Sequence, residues 1–199
     1  MSYPKIPLSF YRQGDVLRIS RELIGKVLCT NIDNSLAAGI ITETEAYSGT
    51  DDRASHAYGG RRTDRTETMY QPGGVAYVYL CYGIHHLFNV VTNKKGKADA
   101  VLIRAIKPIE GIDTMLDRRN FDTLKPALTA GPGRLTQALG ITIDYDAQSL
   151  NTDIIWIENR NNRIKPDHIS SGPRIGVDYA EEDAELPWRF FLSESSWVS

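Results

Sequence analysis

Glu43, Glu45 and Tyr47 lie two residues apart in the run I-T-E-T-E-A-Y, residues 41–47. The run has the β-branched content of a strand, and period-two alternation would put Ile41, Glu43, Glu45 and Tyr47 on one face. An unpaired carboxylate is costly to bury, so two of them beside a phenol are expected in a wet cleft, where a carboxylate can take a proton from water. An edge strand with one solvated face would show the same pattern. A carbohydrate glycosidase using both acids is a further reading, since Cα atoms two apart on a strand are about 6.8 Å apart, superficially within the roughly 6.5–9.5 Å between the carboxyl groups of inverting enzymes. Side chains from one strand project in parallel, however, whereas those acids must flank opposite sides of a sugar.

Residues 48–74 form a long polar connection carrying His56, Tyr58, Gly59-Gly60, Arg61, Arg62 and Arg65. A connection of that length inside a compact domain is usually functional or disordered, although a lone histidine in a polar loop is more often plain surface. Residues 75–81 and 84–92 then read as two strands, and Tyr82-Gly83 between them predicts a hairpin. Tyr82 would sit at its tip, either anchoring the turn or inserting into a partner. His85 and His86 are adjacent and would point to opposite faces of a strand. No set of His, Cys and acidic residues has metal-ligand spacing, and neither a metal nor a cofactor is expected. No lysine is placed to form a Schiff base at the Glu45 face, which favours water as a nucleophile.

The elements that must position these groups are legible in outline. Asp15 is a plausible N-cap for a helix through Leu23 with Gly25 as its stop, and residues 26–32 read as a strand. Asp33, Asn34 and Ser35 supply a turn into the acidic strand. Residues 99–106 form a further strand with Arg104 on the face of Ala100 and Leu102, away from Val101 and Ile103. Pro108 is predicted to open a helix with Ile109, Ile112 and Leu116 as its apolar stripe, and Gly131-Pro132-Gly133 to open another that ends at Gly140. Strands are predicted over 153–158 and 170–177, and a short acidic helix over 179–186. Without regular βαβ alternation, this order points to an α+β fold: a single mixed domain over 1–199 with a curved, largely antiparallel sheet and flanking helices.

Composition bounds the function. The 199 residues, 41% hydrophobic and 24% charged, suit one substantial core. No apolar run approaches membrane-helix length and the first residues lack a signal-peptide pattern, so a cytoplasmic protein is expected. Cys29 and Cys81 read as small buried thiols. The net charge of −2 argues against a simple nucleic-acid binder, but residues 53–119 carry eleven Lys/Arg against six acids, while residues 144–199 carry five against eleven. A basic face and an acidic back would suit a polyanion approached from one side.

The segments E-T-E-A-Y, D-R-A-S-H-A-Y-G-G-R-R-T, A-Y-V-Y-L-C-Y-G, Asn89-Val90-Val91, V-L-I-R-A, A-G-P-G-R-L-T-Q-A-L-G-I and R-I-G-V-D-Y-A…L-P-W-R-F-F-L together resemble the alkyladenine (3-methyladenine) DNA glycosylase family, over nearly the whole chain and in the same order. The resemblance implies that the β-hairpin protrudes, and it implies hydrolytic excision of alkylated or deaminated purines of the 3-methyladenine, 7-methylguanine and hypoxanthine type from double-stranded DNA; a monomer is expected, and the lack of a placed lysine favours excision without strand cleavage. It implies that Glu45 activates water and that Arg104 orients the water or a nearby phosphate. Tyr47, His56 and Tyr79 would wall the pocket around the extruded base, and Asn89 would lie where the amino group of guanine would clash. Tyr82 would fill the gap in the duplex, with Arg61, Arg62 and Arg134 on the DNA backbone. The chain departs from the family pattern at Ile84-His85-His86-Leu87-Phe88, where a Met- and Cys-containing run is more usual. Glu43 is read as a structural acid holding a basic residue or a backbone N–H. The remaining rival is a non-catalytic nucleic-acid-binding module in which Tyr77, Tyr79 and Tyr82 stack on bases and the arginines hold phosphates.

Overall fold

The computed structural model describes residues 3–162 and 164–199. In chain order the elements are α1 (Leu8–Tyr11), α2 (Val16–Leu23), β1 (Val27–Ile32), β2 (Ser35–Tyr47), β3 (Ala76–Cys81), β4 (His85–Val91), β5 (Ala100–Glu110), α3 (Ile112–Arg119), α4 (Pro132–Leu139), β6 (Ile155–Glu158), β7 (Ile169–Gly172) and β8 (Arg189–Leu192). The eight strands form one sheet in the order β3-β4-β5-β2-β1-β6, with β8 pairing the far half of β2 and β7 pairing β8. Every pairing is antiparallel. The architecture is the α+β arrangement expected from the sequence.

The main core lies between one face of this sheet and the helices. Val78, Phe88, Val90, Val101, Ile103 and Ala46 pack with Ile19 and Leu23 of α2, Met115 of α3 and Leu135 and Leu139 of α4. Burying each such Leu or Ile contributes roughly 1.5–3 kcal/mol relative to exposure. Asp15 caps α2 by accepting from the Arg18 N–H at 3.0 Å, and Gly140 ends α4 in the left-handed region at φ 77°, both as the sequence indicates. The opposite face of the sheet carries the site and is covered by the 48–74 connection and the chain from 173 to 188.

Strand β2 departs from simple alternation. Ile41 pairs with Ile106 and Glu43 with Ala105, so Thr42 is an extra residue on β2; Glu43 then pairs with Ala105 and Thr44 with Ile103, so Arg104 is an extra residue on β5. These back-to-back bulges correct the one-face reading of the run: Ile41 packs in the main core with Ala46, while Tyr47 packs on the small cluster of Ala54, Val177 and Ala180. Bulges re-aim side chains in this way near active sites. Period-two counting cannot see them.

The predicted helix start at Pro108 is also corrected. β5 runs through Pro108 to Glu110, and Pro108 is tolerated because it sits at a register shift, between the Ala38–Glu110 and Gly39–Pro108 pairs. Helix α3 begins only after Gly111, at φ 64°, and its one fully buried residue is Met115. The predicted strand over 170–177 stops at Gly172, and the acidic helix is a run of 3₁₀ turns over Asp178–Glu185 broken at Glu181.

Gly111 is the joint between the sheet and α3, and a Cβ there would meet the Leu36 carbonyl oxygen at 2.0 Å on a backbone that already requires φ 64°. Gly111→Ala should therefore destabilise the protein by more than about 1 kcal/mol, seen as a lower urea midpoint at constant m. An unchanged midpoint would contradict this account of the junction.

Candidate active site

One cross-strand row assembles the site. Tyr77 of β3 pairs with Asn89 of β4, Asn89 with Leu102 of β5, Leu102 with Glu45 of β2, and Glu45 with Arg189 of β8. Facing residues in a sheet have Cβ atoms about 5 Å apart, so a pocket-floor amide, an apolar spacer and a carboxylate are set side by side on rigid backbone. Above them is a cavity of about 450 Å³, within the range that holds a small ligand. Ala100, Leu102, Arg104 and Asn89 line its floor, and Tyr47, His56, Tyr77 and Tyr79 its walls. Arg104 thus shares the face of Ala100 and Leu102, with Val101 and Ile103 in the main core, as its spacing suggested.

The acidic pair is not in a wet cleft. Glu43 and Glu45 are both 0% exposed, and their burial is tolerable because both are paired. Arg104 donates from Nε to Glu43 Oε1 at 3.2 Å and from Nη1 to Glu45 Oε2 at 3.3 Å. Arg189 Nη1 adds 3.0 Å to Glu43 Oε1, and the Ser199 N–H 2.6 Å to Glu43 Oε2. Glu43 is committed to structure, holding basic residues and a backbone N–H. Glu45 receives the Tyr47 hydroxyl on Oε2 at 2.8 Å and the Ile175 N–H on Oε1 at 2.7 Å. Burial pushes its pKa above the ordinary carboxylate value, against the pull of Arg104, the Ile175 N–H and Tyr47. The carboxylate lies directly behind Tyr47, Arg104 and Ile175, all three of which line the cavity.

The walls are interlocked aromatics. His56 Nδ1 lies 2.9 Å from the Tyr77 hydroxyl, and the His56 ring meets Tyr79 edge-on at 4.7 Å between centroids. Burial, with Arg65 and Arg61 nearby, lowers the His56 pKa to about 4, so the imidazole is neutral at pH 7. Asn89 is buried and donates to the Tyr77 carbonyl at 3.1 Å. The Arg65 guanidinium lies 5.0 Å from the Tyr79 ring centroid.

At the mouth stands the hairpin of β3 and β4. Tyr82 is 91% exposed and Ile84 71%, with the Ile84 N–H closing the turn on the Cys81 carbonyl at 3.2 Å. Tyr82 and Gly83 have φ 51° and 74°, the sign pattern of a type I′ turn, in which Asn or Gly is preferred first. A tyrosine there costs about 1–2 kcal/mol, and strain of this kind concentrates at functional positions. Of the arginines expected on the DNA backbone, Arg61 and Arg134 are exposed, whereas Arg62 is held by Glu67 through contacts of 2.6 and 2.5 Å and lies over the Tyr70 ring.

Sequence reasoning missed several members of the site. Ile175, Gly176, Val177 and Tyr179 line the cavity from a stretch read as strand and helix. Asp52 and Arg174 form a fully buried pair behind Tyr47. Only the family-like R-I-G-V segment flagged that region, and no spacing rule links residues 122 apart. Among the described residues no group of three or more His, Cys, Asp and Glu could hold a metal ion, and no helix is long and apolar enough to cross a membrane.

Comparison with known proteins places the chain in a family. The family model for methylpurine-DNA glycosylase (MPG) matches residues 9–196. The chain is 49% identical over 189 residues to a protein of Chlamydia felis (strain Fe/C-56) named "Putative 3-methyladenine DNA glycosylase", covering 94% of this chain and 96% of that one. It is 47% identical over 204 residues to a Bacillus cereus (strain G9842) protein of the same name, covering 97% and 98%. The chain belongs to the methylpurine-DNA glycosylase family and is a DNA glycosylase, a hydrolase of base excision repair.

Proposed function

We propose that the protein excises alkylated and deaminated purines, of the 3-methyladenine, 7-methylguanine and hypoxanthine type, by rotating the nucleotide out of the duplex and hydrolysing its N-glycosidic bond with a water deprotonated by Glu45. The observation that carries this reading is a buried carboxylate held immediately behind an aromatic-walled cavity. Extrusion costs a few kcal/mol and least for damaged bases. Tyr82 has the size, flatness and exposure to occupy the vacated space, as apolar wedges do at base steps. Base–aromatic stacking is worth about 1–3 kcal/mol per base, and Tyr47, His56 and Tyr79 offer such faces. The neutral imidazole of His56 sets no positive charge against a cationic alkylpurine. Asn89, on the floor, is assigned to exclude the exocyclic amino group of guanine.

Counting acceptor sites locates the water. An ionised carboxylate accepts about four hydrogen bonds, and from the described residues Glu45 receives three: two on Oε2 and one on Oε1. The free site on Oε1 is where water would be received. Because the group is fully enclosed, entry requires a small opening, and the 3.3 Å contact from Arg104 is the longest of the three. Arg104, 6% exposed, is thereby assigned to orient the water rather than to reach a phosphate. Glu45 then removes the proton and faces the positive charge that develops on the sugar as the base leaves. Among the described residues no lysine lines the cavity, and excision without strand cleavage is the outcome assigned. Arg61 and Arg134 are assigned to the DNA backbone. Arg62, engaged by Glu67, would have to leave that pair to join them.

The first test incubates the protein with duplexes containing inosine or an alkylpurine and then applies alkali. Abasic sites should form with wild type; Glu45→Gln should bind the lesion duplex with similar affinity and lose at least about 10²-fold in single-turnover rate, the scale of general-base catalysis. Retention of the duplex without abasic sites by wild type would instead favour the binding-module reading. The rate requires ionised Glu45, so its acid limb should lie above the ordinary glutamate value of 4.5, because burial raises the pKa. A limb at or below 4.5 would contradict Glu45 as the base. Tyr82→Ser should weaken lesion-duplex affinity or slow extrusion by 10-fold or so, about 1.4 kcal/mol, and unchanged affinity and rate would remove Tyr82 from the wedge role.

A further inference from the structure

Asp52 and Arg174 have side chains 0% exposed, and no part of the reaction above uses them. Arg174 Nη1 contacts Asp52 Oδ2 at 2.5 Å and Nη2 contacts Oδ1 at 2.9 Å. Asp52 also accepts the Ser48 and Ala54 N–H groups, at 3.1 and 2.9 Å, so all four of its acceptor sites are filled. The guanidinium lies between the Tyr47 and Trp188 rings, 4.9 and 5.0 Å from their centroids, and donates to the Ala46 carbonyl at 2.9 Å and the Asp183 carbonyl at 3.0 Å.

These contacts converge on one atom group. The Tyr47 phenol that rests against Arg174 donates to Glu45 Oε2, and the peptide immediately after Arg174 supplies the Ile175 N–H, the one donor on Glu45 Oε1. We propose that Asp52 and Arg174 are positioning residues for Glu45, a buried clamp that holds in a single unit the N–H and the phenol hydrogen-bonded to its two carboxylate oxygens. The inference rests on the reading of Glu45 as the water-activating base. A planar, two-pronged, ring-stacked cation is what the geometry uses, and lysine cannot replace arginine in such a place.

The pair could be ordinary internal scaffolding, and the two roles make different predictions. A clamp acts on chemistry more than on binding, because a displacement of about 1 Å at a reacting group can cost 10²-fold in rate. It also acts on the titration of Glu45. The charged and titratable groups facing Glu45 are Arg104 from β5, Glu43 and Tyr47 from β2, Arg189 from β8 and, through the Tyr47 ring, Arg174. Of these only the Tyr47 bond, together with the Ile175 N–H, depends on the clamp. Both lower the pKa of Glu45, so loosening them moves the acid limb of the rate profile upward.

The experiment compares wild type, Arg174→Lys and Ile175→Pro by single-turnover excision across pH, lesion-duplex Kd and thermal melting. Ile175→Pro deletes the N–H at a residue 45% exposed without removing either charged side chain of the pair, so it reports even where Arg174→Lys does not fold. The clamp predicts a fall in rate of about 10–100-fold, Kd within about 3-fold, and an acid limb displaced to higher pH for each folded variant. An unchanged rate and limb in folded Ile175→Pro, or equal losses of rate and affinity with an unmoved limb, would overturn it. If wild type itself forms no abasic sites, the proposed function fails instead, and the two failures are thereby separated.

Discussion

Two carboxylates on one strand face, close enough to repel, are held at zero exposure by the guanidinium groups of Arg104 and Arg189. Much of the site's structure can be traced to that constraint. Removing one partner from a buried charged set leaves an uncompensated ion and is strongly destabilising, by about 3–5 kcal/mol, so the positions of Glu43, Arg104 and Arg189 are mutually enforced. The bulge that makes Arg104 an extra residue on β5 lets one side chain reach both acids. Glu43 is the fixed member of the set. Glu45 is left with an acceptor site, and burial raises its pKa above the ordinary carboxylate value, the direction in which a general base is tuned.

The cavity's polarity follows from the same economy of charge. Its walls are phenols and a neutral imidazole, and its charges lie on the floor at Arg104, behind it at Glu45, and at the rim. A low-dielectric chamber with one carboxylate behind it strengthens any interaction with a cationic centre inside. The strained turn at Tyr82 and the aromatic contact of Arg65 with Tyr79 place the exposed groups at the mouth, where a polyanion could meet them. This division, neutral walls and a basic mouth, suits the proposed base excision.

Local signals made most of the fold legible. The capped α2, the glycine-terminated α4, the strands flanking Tyr82-Gly83 and the Asp33-Asn34 turn each have a short-range cause, and each formed where sequence chemistry put it. The errors have non-local causes. Pro108 stays in a strand because a register shift relieves it of a ladder bond, and Ile41 changes face because of a bulge whose reason lies on the neighbouring strand. In the site, Glu45, Tyr47 and Arg104 were recoverable from alternation and motif, and the structure groups them with His56, Tyr79 and Asn89 about one cavity. The expected wet cleft was wrong because spacing shows which carboxylates share a face but not which cations will arrive to neutralise them. Arg174 and Asp52 both fall in family-like segments, but their pairing could not be read for the same reason: it exists only after the chain has closed a loop of more than a hundred residues.

That closure has a consequence for when the protein can act. The donor on Glu45 Oε1 comes from 130 positions further along the chain, and the β8 strand beside it from later still. Contacts of such sequence separation form late in folding, since loop closure must precede their reward. A nascent polypeptide still emerging from the ribosome would carry its glutamate, tyrosines and hairpin without the segment that orients them. Such a chain would lack the proposed machinery of excision until the last third had docked.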